Sequence, residues 1–199
     1  GLTLGVGRQL DNVASNVGLF LSVSRGSSTA LTSSSTVDTQ GIGVFGDRDL
    51  GGGFLLEGFL AYYKNANEVS RISGGDLYTA SPDGEAITGF ARVSYSGLKM
   101  PEQMMLTPYV EMSYVRQSTD GYDESGTGGA AIHVDADSSS NVNTAVGAVM
   151  AAQLPLGNGM TLSPTLDAAW VHAANSGARS LSTSFVGGTD VFDAALPGT

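Results

Sequence analysis

Residues 86–116 read AITGFARVSYSGLKMPEQMMLTPYVEMSYVR, two runs of period-2 alternation joined by a turn. In the first run Ile87, Gly89, Ala91, Val93 and Tyr95 share one face, and Thr88, Phe90, Arg92, Ser94 and Ser96 share the other. This is the side-chain pattern of a strand and not of a helix. The second run sets Leu106, Pro108, Val110, Met112 and Tyr114 against Thr107, Tyr109, Glu111 and Ser113. Each strand therefore has one apolar side that something apolar must cover. A second sheet does this in a soluble sandwich. Lipid does it in a membrane barrel, whose polar side faces a watery lumen.

Outward from this hairpin the same alternation recurs at residues 2–10, 16–25, 37–46, 53–64, 142–154 and 159–172, giving eight strands in all. In the last of them Leu162, Pro164, Leu166, Ala168 and Trp170 oppose Thr161, Ser163, Thr165 and Asp167. Residues 26–36 and 65–85, rich in Ser, Thr, Asn and Gly, read as long solvated loops. Residues 117–141 form the longest excursion, with a small strand expected at 129–136 and another near Leu181–Val186. Connections are short after the first, third, fifth and seventh strands and long after the others, so all long loops lie at one end. Outer-membrane barrels arrange their loops this way, whereas a Greek-key sandwich scatters long connections between both ends.

Composition sets the outer limits. The chain has 199 residues, 41% of them hydrophobic, and a mean hydropathy of +0.06, too apolar for a disordered segment. With 28 Gly and only 14% charged residues it suits an all-β protein rich in turns. A net charge of −10 argues against a polyanionic partner such as nucleic acid. The absence of Cys excludes disulfides, thiolate metal sites and a Cys nucleophile. No apolar run is long enough for a transmembrane helix, but barrels cross with strands of about 9–11 residues.

Two further patterns favour the barrel. Tyr62, Tyr114 and Trp170 fall on the apolar face near the long-loop rim and Tyr95 near the opposite rim, the placement of an aromatic girdle. Glu57, Arg92, Glu111 and Asp167, with Tyr109 among them, all fall on the other face, where a charge escapes the roughly 2–4 kcal/mol cost of facing lipid. Arg8 falls on the apolar face, close enough to a turn to snorkel. The expectation is an antiparallel up-and-down transmembrane β-barrel forming a single domain over residues 1–199. The alternative is a soluble β-sandwich adhesin or binding module.

In order and spacing, LTLGVGRQL with NVGLFLSVSRGSS, then TPYVEMSYVRQSTDGYDESG, then SPTLDAAWVH with SFVGGTDVF resembles the C-terminal translocator β-domain of bacterial autotransporters, the type V secretion barrel. The resemblance implies a bacterial outer-membrane protein that anchors and helps export an N-terminal passenger. Its partners would be outer-membrane lipid, its own passenger and linker, and the outer-membrane assembly machinery. The family barrel has twelve strands behind a pore-lying helical linker. The eight counted here correspond to its second to ninth, so an incomplete barrel is expected, lacking the linker, the first strand, the last three strands and the family's aromatic C-terminal residue. Residues 2–10 and 159–172 should then be sheet edges not paired with one another; a ladder between them would instead mean a narrow, filled barrel.

Enzymatic chemistry finds little support. His133 and His172 lack ligand-spaced partners, so no metal site is expected. DADSSSN from Asp135 begins like a calcium loop but has Ser140 and Val146 where Gly and Glu are required. No Ser lies in a nucleophile elbow, and the glycines at 5, 7 and 51–53 complete no phosphate loop. No enzyme activity and no cofactor are expected. Glu57, Glu111 and Asp167 near Arg92 read as the charge-balanced wall of a water-filled lumen. The resemblance offers a sharper reading, in which Glu111 or Glu57 belongs to the acidic site with which some family members cleave their own linker.

Overall fold

The computed structural model describes residues 1–10, 15–96, 98, 100, 104–174 and 179–196. Sixteen strands occur among them, in chain order β1 (Leu2–Leu10), β2 (Ser15–Thr29), β3 (Ser33–Gly51), β4 (Phe54–Ser73), β5 (Asp76–Ala80), β6 (Asp83–Tyr95), β7 (Met104–Thr119) and β8 (Tyr122–Asp123). They continue with β9 (Ser125–Gly126), β10 (Ile132–Val134), β11 (Asp137–Ala152), β12 (Leu154–Leu156), β13 (Met160–Leu162), β14 (Thr165–Ala173), β15 (Arg179–Phe185) and β16 (Val191–Leu196). Eight of them form one antiparallel path, β1-β2-β3-β4-β6-β7-β11-β14, in sequence order as an up-and-down barrel requires. The sheet is open: among the described residues β1 pairs only with β2 and β14 only with β11, so both expected edges are present. Among the described residues no second sheet covers the apolar face as a sandwich would need.

Register assigns the faces. Glu57 stands opposite Arg92, Arg92 opposite Glu111, Glu111 opposite Ala145, and Ala145 opposite Val171, four residues from Asp167. Leu60, Val93, Val110, Val146, Leu166 and Trp170 lie on the other face by the same ladder. Burial follows the faces. Val110 is 58% and Trp170 68% exposed, whereas Ala61 and Tyr109, on the mixed face, are 2% and 6% exposed. The apolar face leaves Leu4, Leu19, Val44, Leu60, Val110, Val146 and Trp170 exposed, a run of apolar side chains across successive strands.

Two expectations are corrected. Residues 26–36 and most of 65–85 are not loops: β2 and β3 pair as far as Thr29 opposite Ser34, β4 runs to Ser73, and only residues 30–32 turn at the first tip, where the Ala30 N–H donates to Ser33 O at 2.8 Å. A ribbon wetted on both faces needs no apolar side, so it shows no alternation to read. Its hydroxyls bridge strands instead, as Ser34 Oγ and Ser70 Oγ do at 2.8 Å. Nor is residues 159–172 one strand. Pro164 has no N–H for the ladder, so the main strand starts at Thr165 while β12 and β13 form a separate two-stranded ribbon.

The small strand expected at 129–136 is β10, and that near Leu181–Val186 is β15; with β8 and β16 they form a four-stranded sheet at the ribbon end. At the other end β3 turns into β4 through Gly51, Gly52 and Gly53, all at positive φ (80°, 63° and 90°), which L side chains rarely adopt. The short connections read at residues 11–15 and 97–105 fall largely outside the described residues.

Candidate functional site

On the mixed face one residue from each of six successive strands falls on a single cross-strand line: Gln9, Asn16, Asp47, Glu57, Arg92 and Glu111. The row is held by its own polar contacts. Asn16 Nδ2 donates to Asp47 Oδ2 at 2.9 Å, and Arg92 donates to Glu111 Oε2 through Nε at 2.9 Å and Nη2 at 2.5 Å. One step toward the ribbon end lies a row of rings. Phe20 packs against Phe45 at 6.4 Å and Phe59 at 6.5 Å, and Phe59 stacks on Phe90 at 5.8 Å. Arg92 joins the two rows, its guanidinium carbon 5.6 Å from the Phe90 ring centre and 4.2 Å from that of Tyr109.

Small residues make room for these rings. A Cβ on Gly18 would lie 2.3 Å from Phe45, one on Gly41 2.2 Å from Tyr63, and one on Gly147 2.7 Å from Tyr109. The Tyr109 hydroxyl thereby reaches across Gly147 and donates to Asp167 Oδ1 at 2.9 Å. Sequence reading placed Glu57, Arg92, Tyr109, Glu111 and Asp167 together; the structure links Arg92 to Glu111 and Tyr109 to Asp167, while Glu57 stands in register with Arg92 without a direct bond to it. It missed Gln9, Asn16 and Asp47, and it missed the ring row, whose phenylalanines were visible on the polar side of the alternation. With Arg92 engaged by Glu111, this face is polar and aromatic at once.

On the apolar face Tyr62 is in register with Ile87 and through it with Arg116, two residues beyond Tyr114. Arg116 pairs with Ser140, six residues from Val146, the partner of Trp170. The offset grows from two residues over two strands to six over four, the stagger of strands tilted to a barrel axis. Tyr95 lies at the opposite end, its ring 4.7 Å from Phe54.

At the ribbon end the extension of β4 is clasped to the segment around Glu124 and Ile132. Glu124, 8% exposed, accepts from Arg71 Nε at 3.0 Å and from the Ile132 N–H at 3.1 Å, while Arg71 Nη2 donates to Ala130 O at 2.8 Å and the guanidinium lies 5.0 Å over Tyr78. Nearby, His133 Nδ1 is 2.6 Å from Asp123 Oδ1 and Nε2 is 3.1 Å from Asp135 Oδ1. Both ring nitrogens can donate only in the imidazolium form. The hydrogen bond to Asp123, then that to Asp135, accordingly holds the His133 pKa above its ordinary 6.5. A raised folded-state value means that this tie is fully present below the unfolded pKa of 6.5 and is lost as pH rises through the folded value. An NMR titration should find His133 protonating above 6.5 and moving toward the ordinary value in Asp123→Asn; a value at or below 6.5 in the unaltered protein contradicts the geometry.

The sequence profile of the family described as Autotransporter beta-domain matches residues 1–199. Among solved structures, the translocator domain of autotransporter NalP from Neisseria meningitidis superposes with a TM-score of 0.68 at 16% identity, covering 91% of this chain and 67% of that one. The beta domain of the Bordetella autotransporter BrkA gives a TM-score of 0.60 at 15% identity, covering 97% and 82%. No curated protein matches.

Proposed function

From the premise that the chain belongs to the autotransporter β-domain family, we propose that residues 1–199 are one domain whose mixed face lines the export lumen and whose apolar face meets lipid. The domain is an outer-membrane translocator barrel that anchors and helps export an N-terminal passenger to the cell surface. The observation that carries the lumen reading is the sorting of the strands. The polar row from Gln9 to Glu111 occupies one face, and the exposed apolar side chains occupy the other.

Glu57, Arg92, Tyr109, Glu111 and Asp167 are the lumen-facing polar residues in this reading, with the phenylalanine row beside them as a smooth surface for a moving polypeptide. Tyr62, Tyr114 and Trp170 form the girdle at the ribbon end, their growing offset being what a tilted belt produces, and Tyr95 belongs to the girdle at the other end. The domain itself is non-catalytic and needs no cofactor or metal, because export asks of the wall only hydration and low adhesion. Its further partner is the outer-membrane assembly machinery, since an outward apolar band cannot cross an aqueous compartment unescorted.

The test is export by the full-length protein carrying a reporter in the passenger position. Protease added to intact cells should digest the reporter while the barrel stays with the outer-membrane fraction and leaves it only in detergent. A reporter protected on intact cells, or a protein monodisperse in plain buffer, overturns the reading.

A further inference from the structure

On each of the four strands that run toward the ribbon end, the outward side chain two residues beyond an apolar or aromatic one is basic or histidine. Val23 is followed by Arg25 on β2, Tyr62 by Lys64 on β4, Tyr114 by Arg116 on β7 and Trp170 by His172 on β14. Period 2 keeps each on the apolar face. The line from Arg25 passes through Asp38 to Ala66, two residues beyond Lys64, and the line from Lys64 passes through Glu85 to Ser118, two beyond Arg116. The cations thus follow the same stagger as Tyr62 and Tyr114, and run as a belt one residue pair above the aromatic one.

Their pairing differs from that of the cations on the mixed face. There Arg92 is neutralised by Glu111 and Arg71 by Glu124. On the belt, Lys64 and Arg116 make no ion pair among the described residues, and Arg25 makes a loose one, 3.5 Å from Asp38 with both side chains more than half exposed. Carboxylates do lie near: Asp38 and Glu85 on the intervening strands, with Asp83 and Asp120 above them, share with Lys64 the rim of a cavity of about 540 Å³. Lys64 and Arg116 nonetheless stay exposed. Exposed cations held at a fixed height just past an apolar band match a sheet of anions lying just past a hydrocarbon layer, and the phosphates of a lipid leaflet are such a sheet.

We propose that Arg25, Lys64 and Arg116, with His172 as the hydrogen-bonding member on β14, form a binding belt for the phosphate groups of the lipids at the ribbon end. The belt rests on the reading of the apolar face as lipid-facing. Arginine would grip phosphate in bidentate fashion and lysine as a point charge. His172 is steadied by its stack on Trp170, ring centres 5.9 Å apart.

The experiment folds the full-length protein into phosphatidylcholine vesicles, with or without bisphosphorylated lipid A, and measures binding by flotation and insertion by protease protection. The unaltered protein should insert into both and prefer the lipid A vesicles, the preference falling as salt is raised. Each surface cation contributes roughly fivefold, so the variant R25Q/K64Q/R116Q should lose on the order of a hundredfold of that preference while inserting into neutral vesicles as before. R25K/R116K, which keeps the charges, should retain most of it. Insertion into both vesicles with no preference, a preference indifferent to salt, or a triple variant that keeps it overturns the belt alone. Failure to insert into either vesicle overturns the lipid-facing reading, and the belt with it.

Discussion

Val110→Arg should lower the stability of the membrane-inserted state by about 2–4 kcal/mol, and Ser113→Arg by much less. Val110 sits in the middle of β7 on the apolar face, 58% exposed, flanked by Val93 and Val146 in register. A guanidinium there would lie among acyl chains with no acceptor near enough to reach by snorkelling. Ser113 is on the same strand but on the other face, opposite Phe90 and Asn143, where on the proposed lumen side a long cation would extend into water. Denaturant titration of the full-length protein in vesicles measures both. Equal costs, or the reverse order, would mean that β7 presents its other face to lipid and that the inner and outer walls are exchanged.

Glu124→Leu should open the clasp between the β4 extension and the segment at residues 124–132 without touching the barrel. The side chain is 6% exposed and is held by Arg71 and the Ile132 amide; once it is gone, the Arg71 charge, 30% exposed, keeps only Ala130 O and the Tyr78 ring. Breaking a fully buried pair costs about 3–5 kcal/mol, and the solvent access of Arg71 reduces this to about 1–3 kcal/mol. The loss is local. Hydrogen exchange should show the amides of Ala130 and Ile132 losing protection, since the first donates to the Tyr78 hydroxyl at 3.1 Å and the second to Glu124 itself. Amides of the β4-β6-β7 ladder should keep theirs. Arg71→Leu added to Glu124→Leu should restore part of the loss, because it removes the orphaned charge. Unchanged protection at Ile132, or a uniform loss through the ladder, would show that the clasp does not act as a separate unit.

The sequence by itself determined the main strands, their order, and which side of each is apolar. A strand that is apolar on one side and wet on the other must alternate with period 2, and that constraint acts on every residue locally. Glu57, Arg92, Tyr109, Glu111 and Asp167 could be grouped for the same reason, since parity alone puts them on one wall. Three things were decided only by the tertiary structure. The Ser/Thr ribbons of β2, β3 and β4 extend beyond the apolar band because pairing, once begun, satisfies backbone groups with no apolar face required. The phenylalanine row depends on register between strands, which sets Gly18 under Phe45 and Gly43 under Phe20 and is invisible within any one strand. The Arg71–Glu124 clasp joins residues 53 apart in the chain, and no local pattern announces it, because what drives it is the cost of burying either charge without the other.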